Sequence, residues 1–315
     1  MAITVAEANA VSSAHYDKTL TQVAYDSSQF WVKMKKNNRV RVKGGADLRW
    51  PLRYQEFGYA NAVDPHSQIV FSSKETRTSL VEDWKYYITP QLMSWDERVK
   101  NSNGPSQIIS LMADKTEEMR EDHDERFSDD LYVANPNGQG FTPLTTIIDS
   151  AATYAGVAVA DVAAWAATED NTTTQLNLYG SGSIAVAVAS ATFGKQMPTL
   201  HVTTRNLATK AESLIEPQKR YYDEQLADAG FKSVTFHGAP IMGDSHCTAS
   251  MWLGVCMEVI EIWVHPDFDM VLTPWEDMTQ AGFPNALGRT LSWAGNFVCR
   301  NRKPNFKFTA LNYAL

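Results

Sequence analysis

Asp244, Ser245, His246 and Cys247 stand side by side, an acid, a hydroxyl, an imidazole and a thiol in four consecutive positions. These are the groups of nucleophilic catalysis. Nucleophile and base normally meet from distant points in a chain, so adjacency adds little. The stretch reads as a turn entering a strand. His265-Pro-Asp267-Phe-Asp269 offers a metal one imidazole and two carboxylates, but it lacks the i, i+4 histidines of H-E-x-x-H. It reads as a strand end and a turn. Gly180-Ser-Gly-Ser183 has neither the Lys-Ser/Thr ending of a phosphate loop nor the G-x-G-x-x-G spacing, so it reads as a plain loop. The acids between 114 and 130 are of the type used in pairs for glycoside hydrolysis. Nine of them on one solvated helix are a poor specific signal. Asn171-Thr172-Thr173 is a glycosylation sequon with no secretory signal to give it meaning. The seven histidines are scattered, and His123 falls on an apolar helical face, where packing is its expected role. No catalytic residue, metal ligand or cofactor is assigned.

The elements that would position such groups are of several kinds. Residues 1–33 carry Ala, Val and Tyr without Gly or Pro and read as a partly helical arm that packs on something else. Arg39-Val-Arg-Val-Lys43, Leu48–Tyr54, Gln68–Phe71, Thr76–Val81 and Trp84–Ile88 read as strands of a long antiparallel hairpin region, with Pro51 favouring an edge. Such a hairpin cannot build a core alone. Trp31, Trp50, Trp84 and Trp95 lie in this arm and hairpin region, where burial against another subunit is expected. The clearest helix is 105–132, opened by Gly104-Pro105 and closed by Asn135-Pro-Asn-Gly138. Its inward face is Ile108, Met112, Thr116, Met119, His123, Phe127 and Leu131, with the acids on the other faces. Helices are expected at Thr145–Tyr154, Ile184–Phe193, Asn206–Ile215 and Gln218–Ala229. Strands are expected at Thr199–Thr203, Ser233–Phe236, Met251–Val255 and Val259–Val264, and through Thr290–Ala310, with Arg300–Lys303 as a basic turn. Helices and strands alternate without a clean repeat, which favours α+β over a doubly wound sheet.

The chain has 315 residues, enough to bury a large core. Its formal net charge of −8 gives no overall attraction to nucleic acid. Three well-separated cysteines argue against a disulfide framework and for a reducing compartment. No stretch of about 18 apolar residues offers a membrane span, and no secretory signal is read. Charge is segregated. Lys33, Lys35, Lys36, Arg39, Arg41, Lys43, Arg49 and Arg53 are opposed only by Asp47, a local net of +7. Asp114, Glu117, Glu118, Glu121, Asp122, Asp124, Glu125, Asp129 and Asp130 are offset by three cations, a local net of −6. These blocks read either as two solvated faces or as complementary surfaces, within one chain or between neighbours.

The order of elements resembles that of a tailed-phage major capsid protein of the Hong Kong phage type. Ile88-Thr-Pro90 through Trp95, then Asn103-Gly104, is similar to that family's join between hairpin and spine helix. Phe141-Thr-Pro-Leu-Thr-Thr-Ile-Ile-Asp149 and Thr153-Tyr-Ala-Gly156 resemble the stretch after the spine. Glu212-Ser213, Gln218-Lys-Arg-Tyr221, Gly230-Phe231 and Gly238-Ala-Pro-Ile-Met-Gly-Asp244 resemble the second domain.

The resemblance implies a phage capsid fold with an N-terminal arm (1–33), an extended β-hairpin loop (34–90), a peripheral domain with the long spine helix 105–132 (91–142 and 287–315) and an axial domain (143–286). It implies a shell built from hexamers and pentamers around double-stranded DNA, located in the virion and assembled in the host cytoplasm. It implies no catalytic residues. The expected partners are further copies of the chain, a separate scaffolding protein, a portal, an optional decoration protein, and packaged DNA held non-specifically; no membrane is expected. The shell of a cellular nanocompartment and a cytosolic enzyme are the alternatives. In this setting the basic block would lie over the acidic helix of a neighbouring subunit.

Overall fold

The computed structural model describes residues 26, 28–60, 62–64, 66, 71–101, 111–215 and 234–312. The expectations for residues 1–25, for 68–70, for the helix start at 103–108, for the helix at 218–229 and for Ser233 lie outside the described residues.

In chain order the helices are α1 (Gln29–Asn37), α2 (Trp95–Asn101), α3 (Leu111–Tyr132), α4 (Leu144–Ile147), α5 (Ile184–Ala191) and α6 (Arg205–Leu214). The strands are β1 (Arg39–Arg41), β2 (Leu48–Arg53), β3 (Arg77–Glu82), β4 (Lys85–Met93), β5 (Thr168–Asp170), β6 (Leu200–Thr203) and β7 (Thr235–Phe236). They continue as β8 (Ala239–Gly243), β9 (Trp252–Val255), β10 (Ile260–Val264), β11 (Val271–Leu272), β12 (Glu276–Asp277), β13 (Leu287–Cys299) and β14 (Phe306–Phe308).

Strand β13 organises the larger sheet. One edge pairs antiparallel with β4, from Leu287↔Met93 to Gly295↔Lys85. The other edge meets β12, β11 and β10 in turn, and β1 adds to β10 in parallel. A second sheet has the order β5-β14-β9-β6-β8-β7. In its middle Gly254 leaves room for the Phe306 ring, which a Cβ there would overlap. Strands β2 and β3 form a separate ribbon. The hairpin is therefore β2 and β3. The flanking segments β1 and β4, expected to belong to it, join the large sheet instead, because their partners there are long buried strands that complete their hydrogen bonds.

Helix α3 lies across β4. Met119, His123, Phe127 and Leu131 are buried at a spacing of four, as the sequence period requires. Phe127 is the hub. Its ring centroid lies 4.6 Å from Trp31, 4.7 Å from Tyr87, 4.9 Å from Trp293 and 5.0 Å from Phe141. Helix α1 docks on α3 through Phe30, Trp31 and Met34 after Ser28 caps it, the Oγ accepting from the Trp31 N–H at 3.3 Å. The helix runs through residue 33, where the sequence reading passed from arm to loop.

Several expectations are corrected. Trp31 and Trp50 are buried inside their own chain, Trp50 edge-on to Trp263 at 5.7 Å, because the hairpin base folds back onto the core. Trp84 is half-buried, and only Trp95 is left exposed. Asp130 is not on a solvated face. It is buried, accepting from the Tyr87 hydroxyl at 2.6 Å and pairing with Arg126 at 2.8 Å. The helix expected at Thr145–Tyr154 is the single turn α4, and Arg302, expected in an exposed turn, is fully buried. These two departures have one cause. The Arg302 guanidinium takes the carbonyls of Ile147 (2.6 Å), Ala152 (2.9 Å), Asp149 (2.9 Å) and Thr146 (3.2 Å). The Asp149 carboxylate takes the N–H groups of Ala151 and Ala152. The backbone groups that would continue a helix are thus bonded elsewhere.

Candidate subunit interface

The two charge blocks meet inside one chain at Lys35 and Asp124. Lys35, in the last turn of α1, approaches Asp124 of α3 at 3.0 Å, and the Trp31 Nε1 donates to the same carboxylate at 2.9 Å. Arg39 pairs with Asp269 and Arg49 with Asp47 at 2.8 Å. Lys33 is half-buried and engaged. Lys36, Arg41, Lys43 and Arg53 are exposed, as is Arg49 despite its pairing.

On α3, Asp114 is half-buried, and desolvation, with Glu117 beside it, raises its pKa. Glu121 is half-buried and engaged. Asp124 and Asp130 are bound within the subunit. Glu125 accepts from the Asp26 N–H at 3.1 Å. Asp129 lies 2.9 Å from the His246 ring. Glu117, Glu118, Asp122 and Asp129 are exposed. The remainder of each block is exposed.

The apolar surface is divided in the same way. Along β4 the odd positions Tyr87 and Met93 are buried beneath α3, while Tyr86, Ile88 and Leu92 face out. Alternation of that kind is a strand's period of two, but here both faces are apolar. In the chain that joins β2 to β3, Phe57 and Tyr59 stack edge-on at 4.8 Å while both stay exposed, and Phe71 is 93% exposed.

The groups singled out for chemistry are otherwise occupied. Asp244 is fully buried and accepts from the hydroxyls of Ser28 and Tyr132, the latter at 2.9 Å. Cys247, Cys256 and Cys299 are buried free thiols, and burial pushes that of Cys299 up to about 12, away from nucleophilic thiolate. The His265 Nδ1 accepts from the Asp267 N–H, and Asp269 is held by Arg39. Gly180–Ser183 is a loop whose Ser183 caps α5. Among the described residues, no group of three or more His, Cys, Asp or Glu is placed to hold a metal ion, and no helix is long and apolar enough to cross a membrane. Sequence reasoning missed the junction of Asp26, Ser28, Asp129, Asp244 and His246. The signal was there in Gly243-Asp-Ser-His246, but its partners lie more than 100 positions away.

No protein-family model matches the sequence, and no curated protein matches it either. Known structures do match. A chain of the cyanophage A-1(L) capsid asymmetric unit superposes with a TM-score of 0.66 at 14% identity, covering 94% of this chain and 97% of the other. The capsid of a native GTA particle gives 0.65 at 9% identity, with 98% of both chains covered. A chain from Mycobacterium phage Bobi gives 0.62 at 12%, covering 98% and 99%. The chain has the phage capsid fold over essentially its whole length.

Proposed function

We propose that this chain is a phage major capsid protein, a non-catalytic subunit that self-assembles through hexamers and pentamers into an icosahedral shell around double-stranded DNA. The observation that carries the reading is the end-to-end match of its fold to capsid chains, which accounts for the long helix, the hairpin and both sheets at once. In this reading residues 1–33 are the arm, 34–90 the extended loop, 91–142 with 287–315 the peripheral domain and 143–286 the axial domain.

The physics supports it. Exposed Tyr86, Ile88, Phe57 and Phe71 gain burial only against another subunit. Each contact can be weak when every subunit makes several, because closure makes the later contacts intramolecular. The exposed cations Lys36, Arg41, Lys43, Arg49 and Arg53 would lie over the exposed acids Glu117, Glu118 and Asp122 of a neighbour. Each such pair contributes about 0–1 kcal/mol. Together they set register and association rate more than affinity. The net charge of −8 suits a wall that touches packaged DNA sparsely and without sequence preference. A separate scaffolding protein and a portal are the expected partners, and the virion the expected location.

Light scattering and negative-stain microscopy of the purified chain, alone and with the other virion proteins, test this. Closed shells, or hexameric and pentameric rings, are expected. A monodisperse monomer or dimer under every condition overturns it.

A further inference from the structure

His246 lies where three segments meet: the residues leading into α1, the C-terminal half of α3, and the loop after β8. Its Nδ1 is 2.9 Å from Asp129 Oδ1, and its Nε2 contacts the backbone carbonyl oxygen of Asp26. Glu125 Oε1 stands 3.6 Å from the same Nε2. Its backbone N–H donates to Asp244 Oδ1 at 3.0 Å.

A carboxylate and a carbonyl are both acceptors. Each ring nitrogen must therefore carry a proton, and only the imidazolium completes both bonds. A neutral ring turns a lone pair on one of the two oxygens.

We propose that His246 is a proton-operated clamp, closed when charged, that fastens the root of the N-terminal segment to α3 and to the loop after β8. The groups around it favour the charged form. Asp26 faces it from the segment, Glu125 and Asp129 from α3, and Asp244 from its own loop. Opposing it among the described residues is Arg205 of α6, which pairs with Asp26 at 2.9 Å; the hydroxyl of Ser245 also bonds Asp26. Burial alone lowers the imidazole's pKa, but the Asp26 carbonyl, Asp129 and Glu125 outweigh it and the net shift is upward. Neighbouring bonds do not depend on this proton. The Ser28 N–H donates to Ser128 Oγ at 2.9 Å, and the Ser28 hydroxyl to Asp244. Opening therefore loosens the backbone at Asp26, whose carboxylate stays paired with Arg205, while α1 stays docked. The clamp stands on this geometry and does not rest on the shell reading.

The test is an imidazole NMR titration of the full-length chain with amide exchange at Asp26–Phe30, between about pH 5.5 and 8.5, corrected for intrinsic exchange. His246 should titrate above the ordinary value, with protection of the Asp26 amide falling about tenfold as it deprotonates. His246→Gln should abolish that step. Asp129→Asn should lower its midpoint and leave the fold intact. A His246 titrating at or below the ordinary value, protection unchanged through its titration, or a step that survives in His246→Gln overturns the clamp. None of these readouts requires shells to form, so they separate failure of the clamp from failure of the assembly reading.

Discussion

The Nε of Arg302 donates to the carbonyl of Ile147 at 2.6 Å, joining positions 155 residues apart. The guanidinium also lies 5.8 Å from the Tyr154 ring and 5.9 Å from Trp165. A buried cation with four carbonyl acceptors and two aromatic neighbours holds the 146–152 loop in a non-helical path.

Replacing Arg302 by Met should therefore destabilise the chain by about 3 kcal/mol or more, because buried carbonyls lose their donors. Lys should not rescue it, since an ammonium cannot match a planar fork. Chemical denaturation of R302M and R302K checks this, and a loss under about 1 kcal/mol in R302K would contradict the account.

Phe127→Ala should cost about 3–5 kcal/mol, since the cavity would open among Trp31, Tyr87, Phe141 and Trp293. The same measurement on Phe71→Ser, at an exposed site, should stay within about 0.5 kcal/mol. That variant should instead impair assembly by light scattering, and normal assembly would exclude Phe71 from the interface.

Acid should weaken the subunit through two histidines. Burial lowers the pKa of both His123 and His201 to about 4, and each leaves its Nε2 without a partner. Unfolded, each titrates near 6.5. Between those values the unfolded chain binds more protons, so stability is full above about pH 6.5 and falls as pH drops towards 4. The loss is on the order of 3 kcal/mol per histidine. His246 has the opposite sign: its contribution is present at low pH and lost as pH rises through its raised value. Urea midpoints across pH, with His123→Phe flattening part of the acid slope, decide this.

Charge reversal at Lys36, Arg41 and Lys43 should slow or block assembly at low salt while leaving the unfolding midpoint unchanged, because those side chains are exposed. Lys35→Glu should lower subunit stability as well, through Asp124. Normal assembly of the triple variant at low salt would discard the charge pairing.

Much of the fold could be read from periodicity. The four-residue spacing of Met119, His123, Phe127 and Leu131 set the face of α3, and Leu48, Trp50 and Leu52 set that of β2, because solvent sorts side chains by a period the chain itself carries. The charge blocks were equally visible as surface. What periodicity could not give was pairing. Nothing local told that β1 adds to β10 while the segments on either side of the hairpin leave it.

Nor could the sequence tell which polar residues would be drawn inside. Arg302, Asp130 and Asp244 look like surface residues, and each is buried because acceptors or donors from distant segments converge on it. By itself the sequence determined the type and inward face of elements such as α3 and β2, though not that the helix after α3 would stop at Ile147. Tertiary structure decided which charges are spent within the chain, as Lys35 is on Asp124, and which, like Lys36 and Asp122, are left exposed. The reason is that hydrophobic patterning is local, whereas satisfaction of a buried polar group depends on partners tens to hundreds of positions away.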